Sequence, residues 1–172
     1  MNIVLIGYRG TGKSVVGEIL GKRLGMNCIG MDRRIVETAG MSIPEIVEKY
    51  GWSGFRDMES EVVVQLSQSD HLIIDTGGGV IERQENITAL KVNSYIFWLK
   101  ASVDTIIDRI QTDTQRPSLT SGKTFTEEVG EILKQRTPKY KMAAQFEIDT
   151  DHLTPEQVAD SILRTVNEFE EV

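Results

Sequence analysis

The run Gly7-Tyr8-Arg9-Gly10-Thr11-Gly12-Lys13-Ser14 constrains the fold of this 172-residue chain more than any other feature. It satisfies G-x-x-x-x-G-K-[ST], and it lies between an apolar segment, Asn2 to Ile6, and a segment in which Val16, Leu20 and Leu24 recur at i, i+4 and i+8. A strand, a glycine turn and a helix in that order let successive backbone N–H groups converge on phosphate oxygens while the positive end of the helix faces the same charge. A plain strand-to-helix turn has use for a glycine or two, but none for Gly-Lys-Ser at this spacing. The motif therefore predicts that Gly10, Thr11 and Gly12 cradle the phosphates of a nucleotide. Lys13 then reaches the outer phosphates, and the Ser14 hydroxyl ligates Mg²⁺.

The rest of the chain alternates short apolar runs with segments of helical period, as a parallel sheet with crossover helices requires. Strands are expected near Asn2 to Ile6, Asn27 to Gly30, His71 to Asp75, Ser94 to Leu99 and Gln145 to Ile148. Val158, Ile162 and Val166 give a late helix one apolar face. Ser42 with Glu45 and Pro44, and Thr154-Pro155 with Gln157, read as helix starts. The expected fold is α/β: a three-layer arrangement with a five-stranded parallel sheet flanked by helices, all within one domain over residues 1–172. The least patterned stretch, Thr112 to Thr124, is long for a loop in a compact domain and is expected to form a mobile lid.

Charge and cysteine content narrow the partners. Nineteen basic against 26 acidic residues leave a net charge of −7, which disfavours nucleic acid and anionic membrane surfaces. No apolar run approaches the roughly 18 residues that span a bilayer, and a phosphate loop starting at Gly7 leaves no room for a signal peptide. The single Cys28 cannot form an internal disulfide or a thiolate metal site. A cytoplasmic monomer acting on a small molecule is the expectation.

Phosphate-loop proteins usually place an acidic residue at the end of a neighbouring strand, where it holds Mg²⁺ through water. Asp75 ends the His71 to Asp75 segment; the plain alternative is that it caps the turn that follows. That turn contains Gly77-Gly78-Gly79, and three glycines at the carboxyl end of a strand allow a ligand to approach the backbone closely. No Asn-Lys-x-Asp tetrapeptide is present to read guanine. A kinase for a small anionic acceptor needs arginines, a carboxylate near the acceptor hydroxyl and a lid that excludes water. Candidates for all three occur here.

Taken together these residues resemble the shikimate kinase family, within the group of small phosphate-loop kinases. The likeness runs from Gly7 to Ser14 through Asp32, Ile35, Glu37, Gly40, Ile43, Ile46, Gly51, Phe55-Arg56, Glu59 and Gly77 to Gly79. It continues through Arg116-Pro117, Arg136-x-Pro138-x-Tyr140 and Asp149-Thr150 before Pro155. The resemblance implies ATP- and Mg²⁺-dependent phosphorylation of the 3-hydroxyl of shikimate, a step of aromatic amino-acid biosynthesis. It implies that Asp32, Arg56, Gly78, Gly79 and Arg136 bind the acceptor, with an acceptor-binding segment over about residues 32–60, and that Asp32 orients or deprotonates the attacking oxygen. Lys13 and Arg116, the latter in a lid over about residues 112–124, would stabilise the transferring group. Arg109 and Pro155 would flank the adenine. Glu59 is placed either to steer Arg56 from three residues away or to serve as surface charge.

Three positions depart from the family pattern. The family has two aspartates one residue apart after the second strand, the first helping to hold Mg²⁺; here Gly30 takes that first position, before Met31 and Asp32. Asp75 stands where the family has a small or hydroxyl residue, and is expected to take over the metal role. Trp52 replaces a Glu and is expected simply to pack. A related kinase for another hydroxy acid or polyol, or a nucleotide-binding paralogue with weak turnover, stays open at this point. Cys28 is expected to be buried in its strand, and the six methionines to fill the core.

Overall fold

The computed structural model describes residues 1–110 and 124–170. Five parallel strands carry the fold: β1 Asn2–Ile6, β2 Asn27–Gly30, β3 Leu72–Asp75, β4 Ser94–Lys100 and β5 Phe146–Asp149. They lie in the order β2-β3-β1-β4-β5. The helices are α1 Lys13–Leu24, α2 Met31–Ala39, α3 Ile43–Ser67, α4 Gln84–Leu90, α5 Val103–Ile110, α6 Phe125–Ala143 and α7 Pro155–Glu170, with a 3₁₀ turn at Val80–Glu82.

Side chains alternate across the sheet, so each strand feeds two cores. Val4, Ile6, Ile74, Ile96 and Trp98 face α2, α3, α4 and α6, burying Met31, Ile46, Phe55 and Tyr140. Ile3, Leu5, Ile73, Phe97 and Leu99 face α1 and α7, where Val16, Leu20, Val158, Ile162 and Val166 are buried. Those are the three expected layers. A smaller cluster of Tyr8, Ile106, Ile110, Val129 and Ile132 props α5 and α6 beside the phosphate loop. Connections run to one side of β1 through β2 and β3 and to the other through β4 and β5, so the crevice at its carboxyl end is where a ligand fits.

Local chemistry moves three expected boundaries. His71 adopts φ 60°, outside the extended region, so β3 starts one residue later. The Gln145 side chain accepts from the Ile96 N–H at 2.8 Å while its own N–H donates to Ile96 O at 3.0 Å. Its amide thus closes the ladder from outside, and β5 begins at Phe146. Thr124, expected to end the loop, is the N-cap of α6: its hydroxyl accepts from the Glu127 N–H and the Glu127 carboxylate accepts from the Thr124 N–H. The remainder of the expected lid lies outside the described residues.

The caps at Ser42–Glu45 and Thr154–Gln157 form as expected. α3 is broken at Gly51, whose φ 70° and ψ 175° suit only glycine, and this bend aims its second half, with Arg56, at the carboxyl end of the sheet. Cys28 lies in β2 but is half-buried rather than buried, because β2 is the edge strand. Met142 is 75% exposed at the end of α6, so not every methionine fills core. Trp52 packs, edge-on to Phe55 with ring centroids 5.6 Å apart.

Candidate active site

The phosphate loop joins β1 to α1. Gly10 and Gly12 hold φ 80° and 92°, and a Cβ on Gly10 would come within 2.5 Å of the Ile110 side chain, so conformation and space both demand glycine there. The Thr11 hydroxyl donates to Tyr8 O at 2.8 Å. Lys13 Nζ donates to Gly7 O at 2.8 Å and Tyr8 O at 3.0 Å, which lays the ammonium along the inner rim of the loop with only 7% of the residue exposed. Ser14, one residue into α1, directs its hydroxyl to Asp75 Oδ2 at 2.6 Å.

Asp75 is the last residue of β3, and its partner in the β2 ladder is Gly30. A crevice of about 540 Å³ opens here, lined among others by Gly12, Lys13, Ser14, Gly30, Asp32 and Asp75. Asp32 reaches it from the first turn of α2. Cys28 lines the same wall, and its thiol pKa is pushed up to about 11, first by burial and then by the carboxylates of Asp75 and Glu18.

Arg56 and Arg136 come to the glycine turn from different helices. Arg56 Nη1 donates to Glu59 Oε1 at 2.8 Å, and Glu59 is fully buried, so Glu59 steers the arginine rather than serving as surface charge. The rings of Phe55 and Trp52 sit 5.2 and 5.7 Å from the Arg56 guanidinium carbon. A Cβ on Gly79 would lie 2.1 Å from Arg56 Nη2, which shows how closely the guanidinium presses on that backbone. A Cβ on Gly78 would lie 3.4 Å from Arg9 N, 3.5 Å from Gly7 O and 3.6 Å from Arg136 Nη1. Gly78 thus stands between the phosphate loop and Arg136.

Burial works against the charge on Arg136, but Tyr140 and the Glu82 carboxylate beside it more than offset this and keep it a guanidinium. Burial likewise works against the Glu82 carboxylate, and Lys139 and Arg136 overcome it, holding its pKa below the usual range. Tyr140, fully buried, donates from its hydroxyl to Gly78 O, and burial raises its phenol pKa. Glu82 and Lys139 were missed in the sequence. The spacing of Arg136, Lys139 and Tyr140 places all three on one helix face, but nothing local tied that face to Glu82.

Arg109 Nη1 donates to Gly10 O and to the Thr150 hydroxyl, both at 3.2 Å, and its Nη2 donates to Thr150 O at 3.1 Å. It ties the phosphate loop to the segment that ends at Pro155, the first residue of α7. Arg116 lies outside the described residues. Among the described residues no helix is long and apolar enough to cross a membrane, and no cluster of three or more His, Cys, Asp or Glu stands ready to hold a metal alone.

A phosphate loop and a facing carboxylate at the carboxyl edge of a five-stranded parallel sheet, with two arginines on a glycine turn, define a phosphate-loop kinase fold built for a small acceptor. The profile of the family described as shikimate kinase matches residues 9–167. A shikimate kinase of Thermodesulfovibrio yellowstonii is 43% identical over 163 residues, covering 95% of this chain and 93% of that protein. One of Caldicellulosiruptor bescii is 36% identical, covering 94% and 93%. The structure of shikimate kinase from Acinetobacter baumannii in complex with shikimate superposes with a TM-score of 0.92 at 32% identity, covering 97% of this chain and 93% of that one. The chain belongs to the shikimate kinase family, enzymes that use ATP as cosubstrate.

Proposed function

We propose that this chain transfers the γ-phosphoryl group of ATP to the 3-hydroxyl of shikimate, giving shikimate 3-phosphate and ADP in aromatic amino-acid biosynthesis. The observation that carries the reading is Gly78, with the phosphate loop within 3.5 Å of its Cβ direction and Arg136 Nη1 at 3.6 Å. Nucleotide phosphates and an anionic acceptor therefore meet across one residue.

Gly10, Thr11, Gly12 and Lys13 hold the phosphates, with Arg109 and Pro155 on the side of the base. Arg56 and Arg136 offer guanidinium forks to the acceptor carboxylate, which a fork fits with two parallel hydrogen bonds. Gly78 and Gly79 admit the acceptor against the backbone. Asp32 orients the 3-hydroxyl and takes up its proton as the hydroxyl oxygen bonds to phosphorus and the bond to the ADP oxygen breaks. In a loose transition state little of that proton needs to move before the bond breaks. Lys13, joined by Arg116, stabilises charge on the moving group.

Bound Mg²⁺ would neutralise charge on the β- and γ-phosphates. The donor set fits it: the Ser14 hydroxyl and the Asp75 carboxylate, 2.6 Å apart, are hard oxygen donors beside the phosphate loop.

The test is ADP release from ATP and Mg²⁺ with shikimate, gluconate or quinate. Stimulation by shikimate alone is expected. Stimulation by another acceptor instead would move the reaction to a related kinase, and ATP binding with no stimulation by any acceptor would leave a nucleotide-binding module.

A further inference from the structure

One face of α6 is committed to the glycine turn. Arg136, Lys139 and Tyr140, at i, i+3 and i+4, all reach it. Tyr140 donates to Gly78 O, Lys139 Nζ pairs with Glu82 Oε2, and Arg136 Nε donates to Glu82 Oε1 at 2.8 Å. Glu82 closes the 3₁₀ turn that follows the glycines, and its own N–H donates to Gly79 O at 3.0 Å. The residue that grips Arg136 is therefore anchored to the backbone that receives the acceptor.

A guanidinium has a side edge, which includes Nε, and an end edge made of its two Nη atoms. Glu82 takes Nε, while Nη1 lies at Gly78. Arg136 keeps 7% of its side chain exposed and Glu82 keeps 30%, so the inner oxygen of Glu82 meets Arg136 and the outer one meets Lys139 at the surface. One negative charge against two positive ones leaves a single net positive charge on this face, matched to one carboxylate. The next residue works in the opposite direction: Arg83 Nη2 pairs with Asp57 at 2.7 Å and Nη1 donates to the Ser60 hydroxyl at 3.3 Å, both on α3 beside Arg56. Residues 82 and 83 thus tie the turn to the two helices that present the arginines.

We infer that Glu82 is a positioning residue for the acceptor: by holding Arg136 through Nε, it turns the Nη edge toward the acceptor carboxylate. The inference rests on the acceptor reading above. It predicts a loss that depends on the carboxylate of the substrate, not on folding.

The experiment compares wild type, Glu82→Ala and Glu82→Gln with shikimate and with its methyl ester, in which the carboxylate is masked. Binding is followed by titration calorimetry, because the two tryptophans, Trp52 against Arg56 and Trp98 against Tyr140, would both contribute to a fluorescence signal. For Glu82→Ala the KM and dissociation constant for shikimate should rise about 10-fold, with kcat within about 2-fold and the KM for ATP unchanged. Glu82→Gln, which keeps an acceptor for Nε, should lose less, and it serves if the alanine variant does not fold. Against the methyl ester neither variant should differ from wild type. A lowered Tm with an unchanged KM for shikimate, or an equal loss with acid and ester, would overturn the inference. A wild type that neither binds nor phosphorylates shikimate would remove the acceptor reading itself, and this inference with it.

Discussion

Replacing Asp75 by Asn keeps the shape of the side chain and removes its charge, which isolates what the carboxylate does for Ser14 and for the metal. The Ser14 hydroxyl donates to Asp75 Oδ2 at 2.6 Å. A hydrogen bond to an ionised group is worth about 1.5–3 kcal/mol and a neutral one about 0.5–1.5, so the exchange costs about 1–1.5 kcal/mol. Loss of a carboxylate that supports a metal ligand typically costs about 10–100-fold in affinity, or about 1.4–2.7 kcal/mol. The two figures overlap near 10-fold, the expected weakening of Mn²⁺ binding to the ADP complex measured by electron paramagnetic resonance. The ladder supplies a rescue. Gly30 faces Asp75 across β2 and β3, sits at φ −80° and ψ 117°, and would bring a Cβ no closer than 3.8 Å to Arg33 Cβ. Adding Gly30→Asp to Asp75→Asn should therefore restore most of the Mn²⁺ affinity without steric cost. Unchanged Mn²⁺ affinity in Asp75→Asn, or no recovery in the double variant, would refute the placement of the metal carboxylate on β3.

Arg56→Lys keeps the charge but loses the fork and its contact with Gly79, so the KM for shikimate should rise about 10- to 100-fold in steady-state assays, with ATP affinity unchanged. Lys13→Met should lower kcat by about 10²–10³-fold while the protein keeps its fold by circular dichroism. Cys28, with its thiol pKa near 11 against an ordinary 9.0, should react with iodoacetamide at pH 8 about 100-fold more slowly than a free thiol. Asp75→Asn removes one of the charges raising that pKa and should speed the labelling. The sign for stability follows: a raised thiol pKa favours the folded chain at pH below about 9, and that contribution fades as pH climbs toward 11.

What could be read from the sequence was mostly local. Gly7 to Ser14 carries its own conformation, because Gly10 and Gly12 need left-handed angles and Lys13-Ser14 opens a helix. Arg56 and Glu59 were legible as a pair at i, i+3, although only packing against the core decides that Glu59 is fully buried. The cap at Thr124 and Glu127 was equally local but lay in a stretch without hydrophobic period, so it was read as loop. Contacts between distant segments were legible only where a motif tied them, as with Ser14 and Asp75. Glu82 and Arg136 are 54 residues apart, and their meeting depends on α6 lying over the 3₁₀ turn. That Asp75 stands opposite Gly30 is a matter of strand register, which follows from the order β2-β3-β1 rather than from either segment alone. The one-residue shift of β5 came from the Gln145 side chain standing in for a backbone partner.

The central claim is that a nucleotide and a carboxylate-bearing acceptor meet across Gly78 and exchange a phosphoryl group there. Its most direct test is the product itself: incubate the protein with ATP, Mg²⁺ and shikimate, and locate the phosphate by ³¹P and ¹H NMR. Phosphorus coupled to the proton on carbon 3, appearing in step with ADP, is the predicted result. A phosphate on another hydroxyl, or ADP formed with shikimate left intact, would contradict it.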